Sequence, residues 1–353
     1  MGLNNTKQVN KQNNKTQLPV NSAINRRTFN KQIALTTLSI SLMPYVSFSA
    51  TNKNSDKGMY DVIIIGGSYS GLAAAMTMGR SIRNTLVIDS GKPCNAQTPR
   101  SHNFITQDGA TPSNISTLAK EQVLEYPTVS FKSDLVTYVE GSGGNFEVST
   151  LSLRSYKTKK LIFATGVKDI MPSINGFAEC WGITAIHCPY CHGYEVKSKN
   201  TGILVNDESA PEFAKLILNW TNELTIYSDG TTVFDKAEVS ELNVKVMEKK
   251  ISKIQNENGY MTKLEFKDGT SVDIDALYHR AKYEQHCKIP EQLGCELTET
   301  GHILVNDFQQ TNIPGIYAIG DATTFFRTIS VAAASGTKAA AILNHELITE
   351  RYQ

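Results

Sequence analysis

The amino-terminal part of this 353-residue chain contains no acidic residue. Residues 1–49 hold six of the 35 basic side chains and none of the 34 acidic ones, which leaves the rest of the chain with a net charge of −5. A mildly acidic body gives no reason to expect nucleic acid as a partner, because phosphate binding requires a basic surface. With 40% hydrophobic and 20% charged residues, the composition is that of a globular protein long enough for two domains.

Near the amino terminus, a long apolar run is also missing. Residues 33–46 form a weakly apolar stretch that is rich in Ser and Thr. It is shorter than the roughly 18 apolar residues expected of a membrane span. We therefore expect no stable membrane insertion.

Residues 25–50 have the order of an export signal. Paired arginines within Asn25–Lys31 precede the short apolar stretch, and small residues follow at 47–50. The Arg-Arg-x-Phe-x-Lys core is typical of twin-arginine signals. The first 25 residues are polar without apolar periodicity and are expected to be disordered. We predict that residues 1–49 are an export signal, cleaved after Ser49, and that the protein is periplasmic.

Cysteine is scarce, with six in the chain, but two of them lie three positions apart within Ile186–Tyr194. Such a pair can close a small disulfide ring and so take up or release two electrons. A histidine flanks the pair on each side, and a neighbouring imidazolium lowers the pKa of a cysteine from ~8.5 into the range ~3.5–7.5. The candidate catalytic residues for thiol–disulfide exchange are therefore Cys188, Cys191, His192 and His187.

Three other interpretations of this stretch remain open from the residues alone. Cys-x-x-Cys-His is the attachment signature of c-type haem, two cysteines with two histidines can form a zinc site, and the disulfide can be purely structural. Zinc ligands usually come from two separated pairs, whereas all four candidates here fall within six residues, so we predict no metal site. Haem attachment acts on an unfolded exported chain, whereas the twin-arginine route carries folded proteins, so these two signatures argue against each other.

Two distant regions have the pattern of a dinucleotide-binding fold. The apolar strand Asp61–Ile65 leads into a glycine-rich turn and a helix of small residues. In this fingerprint Gly66 and Gly71 hold the first and third glycine positions, and Ser68 takes the second. A second strand ends in Asp89, about where a ribose-binding carboxylate belongs. Two further strands end in Ala164-Thr165-Gly166 and in Gly320-Asp321.

With Cys-x-x-Cys between those last two strands, residues 58–348 resemble the thioredoxin reductase family of FAD-dependent pyridine nucleotide-disulfide oxidoreductases. The resemblance implies an α/β fold with two Rossmann-like, three-layer dinucleotide-binding domains. It divides the FAD-binding domain into residues 58–171 and 282–348. Between them, residues 172–281 form an inserted NAD(P)-domain-like module that carries the cysteine pair. A homodimer is also implied.

The resemblance assigns residues to the FAD site as well. The fingerprint turn is expected at the pyrophosphate, Asp89 at the adenosine ribose and Asp321 at the ribityl chain. The stretch 327–329 is expected beside the flavin ring. The full set of expected FAD-binding residues is Gly66, Gly67, Ser68, Ser70, Gly71, Asp89, Ser90, Lys92, Asn95, His102, Thr165, Gly166, Gly320, Asp321, Thr328 and Ile329.

The inserted module departs from the family in the turn after its first strand. A nicotinamide-binding member has a second glycine fingerprint there, but this chain has Asn206, Glu208 and Pro211 at the three positions. Carboxylates in this turn would repel a pyrophosphate, since two like charges at ~4 Å cost about 1 kcal/mol in water and several times more at a desolvated site. Binding of NAD(P)H is therefore doubtful.

The cysteine stretch departs from the family too. Reductases of this family carry an acid after the second cysteine, whereas this chain has His192. A histidine with its ordinary pKa of ~6.5 accepts a proton from an incoming thiol near neutral pH, which favours oxidation of dithiols. The run from Cys188 to Glu195 resembles that of FAD-dependent dithiol oxidases.

This closer resemblance implies a direction of electron flow. A substrate thiolate attacks Cys188, Cys191 faces the flavin, and oxygen or another acceptor reoxidises FAD. The expected partner is a small dithiol or a thioredoxin-like protein. The alternatives are an NAD(P)H-dependent thioredoxin reductase-like enzyme and, in another class, a c-type haem electron-transfer protein. Among the remaining cysteines, Cys287 and Cys295 can bridge in an oxidising compartment.

Overall fold

The structure is a computed structural model and describes residues 58–353. The predicted export signal over residues 1–49 lies outside the described residues and stays a prediction. Within residues 58–353, no helix combines the length and the apolar character that crossing a bilayer requires.

The first part of the chain builds most of a large sheet and the helices that cover it. The helix Pro112–Leu124 begins at a proline, which fits the first turn of a helix, and Thr111 caps it by accepting a hydrogen bond from the Asn114 N–H at 3.1 Å. The elements are β1 (Tyr60–Ile65), α1 (Tyr69–Arg80), β2 (Thr85–Asp89), α2 (Pro112–Leu124), β3 (Val129–Ser133), β4 (Val136–Ser142), β5 (Asn145–Thr150), β6 (Ser155–Phe163) and β7 (Val167–Ile170).

The middle of the chain forms a second sheet. Its elements are α3 (Phe177–Cys180), β8 (Ala185–Ile186), α4 (Pro189–His192), β9 (Thr201–Leu204), α5 (Ala210–Ile217), β10 (Leu224–Tyr227), α6 (Lys236–Glu241), β11 (Lys245–Met247), β12 (Ile251–Glu257), β13 (Tyr260–Phe266), β14 (Ser271–Asp273) and β15 (Ala276–Tyr278). Five of the strands are parallel, in the order β11-β10-β9-β15-β8, and β12, β13 and β14 form an antiparallel sheet beside them.

The last part of the chain returns to the first sheet. Its elements are β16 (Lys282–Gln285), α7 (Ile289–Gln292), β17 (Ile316–Ala318), a 3-10 turn (Gly320–Ala322) and α8 (Ile329–Arg351). Strand β16 pairs with β7, and β17 pairs in parallel with β6, so that the first sheet has the order β3-β2-β1-β6-β5-β4 with β17 beside β6. In the first sheet β3, β2, β1, β6 and β17 are parallel, whereas β5 and β4 are antiparallel. Two sheets built around parallel strands, the first completed by a distant part of the chain, confirm the predicted α/β fold.

Alternate side chains of β1 pack on opposite faces of the first sheet, as strand geometry requires. Val62 and Ile64 belong to a buried cluster that includes Leu343 of α8. Ile63 belongs to a second cluster that includes Phe146 of β5. The first domain is therefore layered around a sheet that is buried on both faces.

Lys160 of β6 is a charged residue in the middle of this buried sheet, with a side chain only 4% exposed. Its Nζ donates hydrogen bonds of 2.5 Å to Glu346 and to Glu350 of α8, and the Tyr317 hydroxyl donates to Glu346. Burial opposes the charge, but the bonds to the two glutamates raise the pKa of Lys160 above its usual value. This network fastens the last helix to the centre of the first sheet.

We expect Lys160→Ala to lower the free energy of unfolding by roughly 3 kcal/mol, because it leaves Glu346 without its buried cation. Lys159 is the matched control. It pairs with Asp61 at 2.9 Å from a half-exposed position, so Lys159→Ala should cost less than about 1 kcal/mol. Denaturant unfolding of the three FAD-loaded proteins measures both effects. Equal losses would show that the buried network adds nothing beyond a surface pair.

Candidate active site

Cys188 and Cys191 are joined by a disulfide at the start of α4. Strand β8 ends two residues before Cys188, and Pro189 then begins the helix in the first turn, where its missing N–H is not needed. The N–H groups of Cys191 and His192 both donate to the Cys188 carbonyl oxygen at 3.2 Å. The two Cα atoms are 5.3 Å apart. The end of one short strand and one helical turn thus position the ring.

Aromatic rings pack on both sides of this disulfide segment. Trp181 stacks on His187 with ring centroids 5.8 Å apart. On the other side, Trp220 meets Tyr190 edge-on at 5.5 Å. A Cβ atom on Gly193 would lie 2.9 Å from the Trp220 ring, so the residue after His192 must be small. These contacts fix the orientation of α4.

A cleft of about 920 Å³ lies beside the disulfide. His187, Cys191 and His192 line it, whereas Cys188 does not. The structure therefore distinguishes the two sulfur atoms by their position. All but two of the residues expected to bind FAD also line the cleft, namely Gly66, Gly67, Ser68, Ser70, Asp89, Ser90, Lys92, Asn95, His102, Thr165, Gly166, Asp321, Thr328 and Ile329.

The two exceptions, Gly71 and Gly320, lie behind the cleft wall. A Cβ atom on Gly71 would be 1.9 Å from the Gly66 carbonyl oxygen. Gly320 has a φ of +68°, and a Cβ atom there would be 2.6 Å from Ser70 Oγ. Both shape the cleft through close backbone packing, and the expectation that they contact the cofactor stays a prediction.

The fingerprint turn fits a dinucleotide cofactor such as FAD. Gly66 has a φ of +105°, and a Cβ atom there would lie 2.3 Å from the Ala164 carbonyl oxygen. Asp89 is held in place because its Oδ1 accepts the Gly67 N–H at 2.9 Å. The Thr165 hydroxyl on the cleft wall is buried without a protein partner. Exposed backbone at glycine, a fixed carboxylate and a free buried hydroxyl are the groups that bind phosphates and ribose.

A buried charge cluster stands on the same wall. Arg327 donates to the two carboxylate oxygens of Asp169 at 2.6 and 3.1 Å, and its Nε lies 3.4 Å from Asp321. The indole N–H of Trp181 donates to Asp169 at 3.2 Å. No local pattern in the sequence singles out Asp169 or Trp181, because the partners of Asp169 lie 12 and 158 residues away. The rarity of tryptophan in the chain is the one available signal.

The two histidines that flank the cysteines are neutral at physiological pH. Burial lowers the pKa of His187 to about 4, and the Arg327 charge contributes to the shift. Burial, together with His102, lowers the pKa of His192 to about 4. This corrects the expectation of a base that titrates near neutral pH. In the disulfide state His192 is a weak base that carries no proton on one ring nitrogen.

His102 connects this segment to the loop at 101–111. Its Nε2 lies 3.4 Å from Glu195 Oε1, and its Nδ1 lies 3.6 Å from Asp108 Oδ1. Ion pairs of this length at exposed carboxylates contribute little energy. They nevertheless place the His102 ring between the two carboxylates and close enough to His192 to affect its titration.

The turn after β9 is bridged by the side chain of Asn206. Its Nδ2 donates to the Thr231 carbonyl oxygen at 3.0 Å, and its Oδ1 accepts the Val233 N–H at 2.9 Å. The amide thereby ties the loop after β10 to the turn in which a nicotinamide-binding member has glycine. Glu208 is exposed in the same turn.

The other cysteines, Cys94, Cys180, Cys287 and Cys295, are free thiols. The bridge considered between Cys287 and Cys295 is not formed, and the Cys295 thiol contacts the Thr311 hydroxyl at 3.8 Å instead. Across residues 58–353, no three His, Cys, Asp or Glu side chains form a group suited to a metal ion.

Comparison with known proteins agrees with this site. A family model described as pyridine nucleotide-disulphide oxidoreductase matches residues 60–336. Similar proteins include Thioredoxin reductase tcpT of Claviceps purpurea, 29% identical over 84% of this chain and 97% of that protein. Thioredoxin reductase aclD of Aspergillus oryzae is 30% identical over 80% and 94%, respectively.

Solved structures show the same likeness. The structure of an oxidoreductase from Agrobacterium tumefaciens is 32% identical, with a TM-score of 0.78 over 83% of this chain and 99% of that one. The chain therefore belongs to the pyridine nucleotide-disulphide oxidoreductase family, as a thioredoxin reductase-like flavoenzyme that uses FAD and acts on sulfur groups.

Proposed function

We propose that this enzyme oxidises substrate dithiols to disulfides and delivers the electrons through FAD to oxygen or another acceptor. One observation carries the proposal. The turn after β9 lacks the glycines of a nicotinamide site and is bridged by Asn206, while the disulfide lies beside the FAD cleft. If electrons do not enter from a nicotinamide, they enter through sulfur.

The sulfur chemistry proceeds through two exchanges. A substrate thiolate attacks Cys188 Sγ, which forms a mixed disulfide and breaks the bond to Cys191, so that Cys191 leaves as a thiolate. The second substrate thiol then attacks the substrate sulfur that is bonded to Cys188, which forms the substrate disulfide and releases Cys188. The substrate has lost two electrons and two protons. The cysteine pair has gained the two electrons, and Cys188 and His192 have each taken up one proton. With oxygen as the acceptor, the overall products are the substrate disulfide and hydrogen peroxide.

Each sulfur atom has a position suited to its step. Cys191 lines the cleft, beside the place of the electron acceptor, and Cys188 lies outside it. FAD, when bound in the cleft, supplies a two-electron acceptor. Gly66, Gly67 and Asp89 would hold its phosphate and ribose groups. Cys188 is thus the sulfur left for the substrate.

His192 is the group that we assign to the proton. Its pKa of about 4 leaves the ring neutral, so it has a lone pair to offer. A thiolate that forms on the neighbouring Cys191 favours the protonated ring, because an adjacent negative charge stabilises imidazolium. His192 therefore gains basicity at the moment the disulfide opens.

The second candidate is an NAD(P)H-dependent reductase of thioredoxin-like proteins. The names of the relatives favour it, since tcpT and aclD are both called thioredoxin reductases. The two candidates share the disulfide and the FAD cleft and differ in where electrons enter. A small dithiol and a thioredoxin-like protein are both candidate substrates, and turnover with each distinguishes between them.

The purified yellow enzyme, mixed with dithiothreitol in air, should consume oxygen, and Cys188→Ser should abolish the uptake because no disulfide remains to be attacked. Cys295→Ala is the matched control, since this thiol is buried away from the cleft, and it should leave the rate within about twofold. NADPH added without oxygen should leave the flavin yellow. Bleaching by NADPH, with no oxygen uptake from dithiols, would establish the reductase instead.

His192→Gln should lower kcat/KM for dithiothreitol by about 100-fold or more, because the variant loses the proton acceptor. The control is His345→Gln, which changes an exposed histidine on α8 and should have no effect. Because the wild-type pKa is low, His192 should not protonate between pH 8 and pH 5. A wild-type profile whose acid limb lies near pH 6.5 and disappears in His192→Gln would contradict this assignment of its pKa.

We also propose that the protein is exported to the periplasm and works as a homodimer. The export proposal rests on Asn25–Lys31 and the short apolar stretch that follows, and the dimer on the family resemblance. Cell fractionation should find a periplasmic protein that begins at Ala50, and Arg26→Lys with Arg27→Lys should retain it in the cytoplasm.

The proposed homodimer is tested separately. Light scattering of the mature protein should give twice the chain mass. A cytoplasmic wild type, or a monomer, would reject the corresponding proposal.

A further inference from the structure

Asp169 binds a guanidinium on the wall of the FAD cleft. Its side chain is 6% exposed and that of Arg327 is 12% exposed. Both carboxylate oxygens of Asp169 accept hydrogen bonds from Arg327, and one of them also accepts the Trp181 N–H. Asp169, Arg327 and Trp181 all line the cleft. A bidentate, charge-assisted contact of this kind is strong and directional.

The charges that face Arg327 can be counted. Asp169 and Asp321 are its two carboxylate neighbours. Cys94 is exposed as a residue, but its thiol group is desolvated. Desolvation raises the pKa of the thiol, so the Cys94 thiol is uncharged at pH 7. Burial lowers the pKa of His187 and of His302, so both are neutral. Burial raises the pKa of Asp321, and the Arg327 guanidinium opposes that shift. With both carboxylates ionised, the cluster has a net charge of −1.

We propose that Asp169 is a positioning residue that sets the reduction potential of the flavin by cancelling the charge of Arg327. Reduction adds negative charge to the flavin, and an uncancelled cation on the wall of the cleft stabilises the reduced form. Burial of the pair makes the effect larger than it would be in water. With Asp169 in place, the reduced flavin gains no such stabilisation and gives up its electrons more readily.

This inference rests on the FAD site and not on the direction of electron flow, so its test is independent of the oxidase proposal. The potential is measured on the FAD-loaded protein by reductive titration against a reference dye. Asp169→Asn changes the net charge of the cluster to zero and Arg327→Gln changes it to −2. The double variant keeps −1. The reduction potential should therefore be lowest in Arg327→Gln and highest in Asp169→Asn. The wild type and the double variant should have the same, intermediate potential.

Each single substitution, which changes the charge of the cluster by one, should change the ratio of reduced to oxidised flavin at a fixed potential by about tenfold or more. Trp181→Phe is the matched control, because it removes a hydrogen bond to the same carboxylate without changing the charge, and should leave the potential unchanged. A merely structural role predicts similar shifts for Trp181→Phe and Asp169→Asn. That result, or an unchanged potential in Asp169→Asn, overturns the proposal.

If Asp169→Asn fails to fold or to hold FAD, the comparison of Arg327→Gln with the double variant still tests the effect of Asp169 on the potential. The double variant should have the higher potential of the two, because it lacks the second uncompensated carboxylate. Equal potentials would also overturn the proposal.

Discussion

Helices α1 and α8 approach each other so closely that a Cβ atom on Gly336 would lie 2.1 Å from the Ser70 carbonyl oxygen. Gly71 of α1 makes a similarly close contact, because it packs against the backbone of Gly66. The close backbone contact at Gly336 joins the first turn of α1 to the third turn of α8. Because Ser70 and Thr328 both line the cleft, the FAD site depends on two parts of the chain that are far apart in sequence. A larger side chain at Gly336 would separate them.

The inserted module retains a complete parallel sheet although its nucleotide turn has changed. A buried cluster that includes Ile203, Phe213 and Tyr278 stabilises it. Strand β8 at the edge of this sheet leads directly into the disulfide segment. The module therefore still has a structural task in the proposed reaction, which is to present one sulfur atom to the cleft.

Electrostatics in the cleft are governed by burial. The histidines beside the disulfide are neutral because desolvation penalises their charged forms, and the Arg327 guanidinium is paired on two sides. The wall beside the disulfide thus combines neutral imidazoles with a compensated cation.

The sequence by itself determined the features that depend on neighbours along the chain. The strand, glycine turn and helix at Asp61–Ile65 and Gly66 follow from backbone sterics and apolar patterning, and the spacing of Cys188 and Cys191 permits a small disulfide ring. The order of such motifs was enough to identify the α/β fold and the FAD cleft. It did not show which backbone atoms lie against Gly71 and Gly320, because those contacts come from the folded chain.

Only the tertiary structure decided which distant groups meet and how far each is removed from water. Asp169 and Arg327 are 158 residues apart, and Asn206 reaches a loop 25 residues on. The low pKa of His192 depends on burial and on His102, neither of which a local pattern records. Pairing energies and desolvation depend on three-dimensional neighbours, whereas a sequence motif specifies only residue type and spacing.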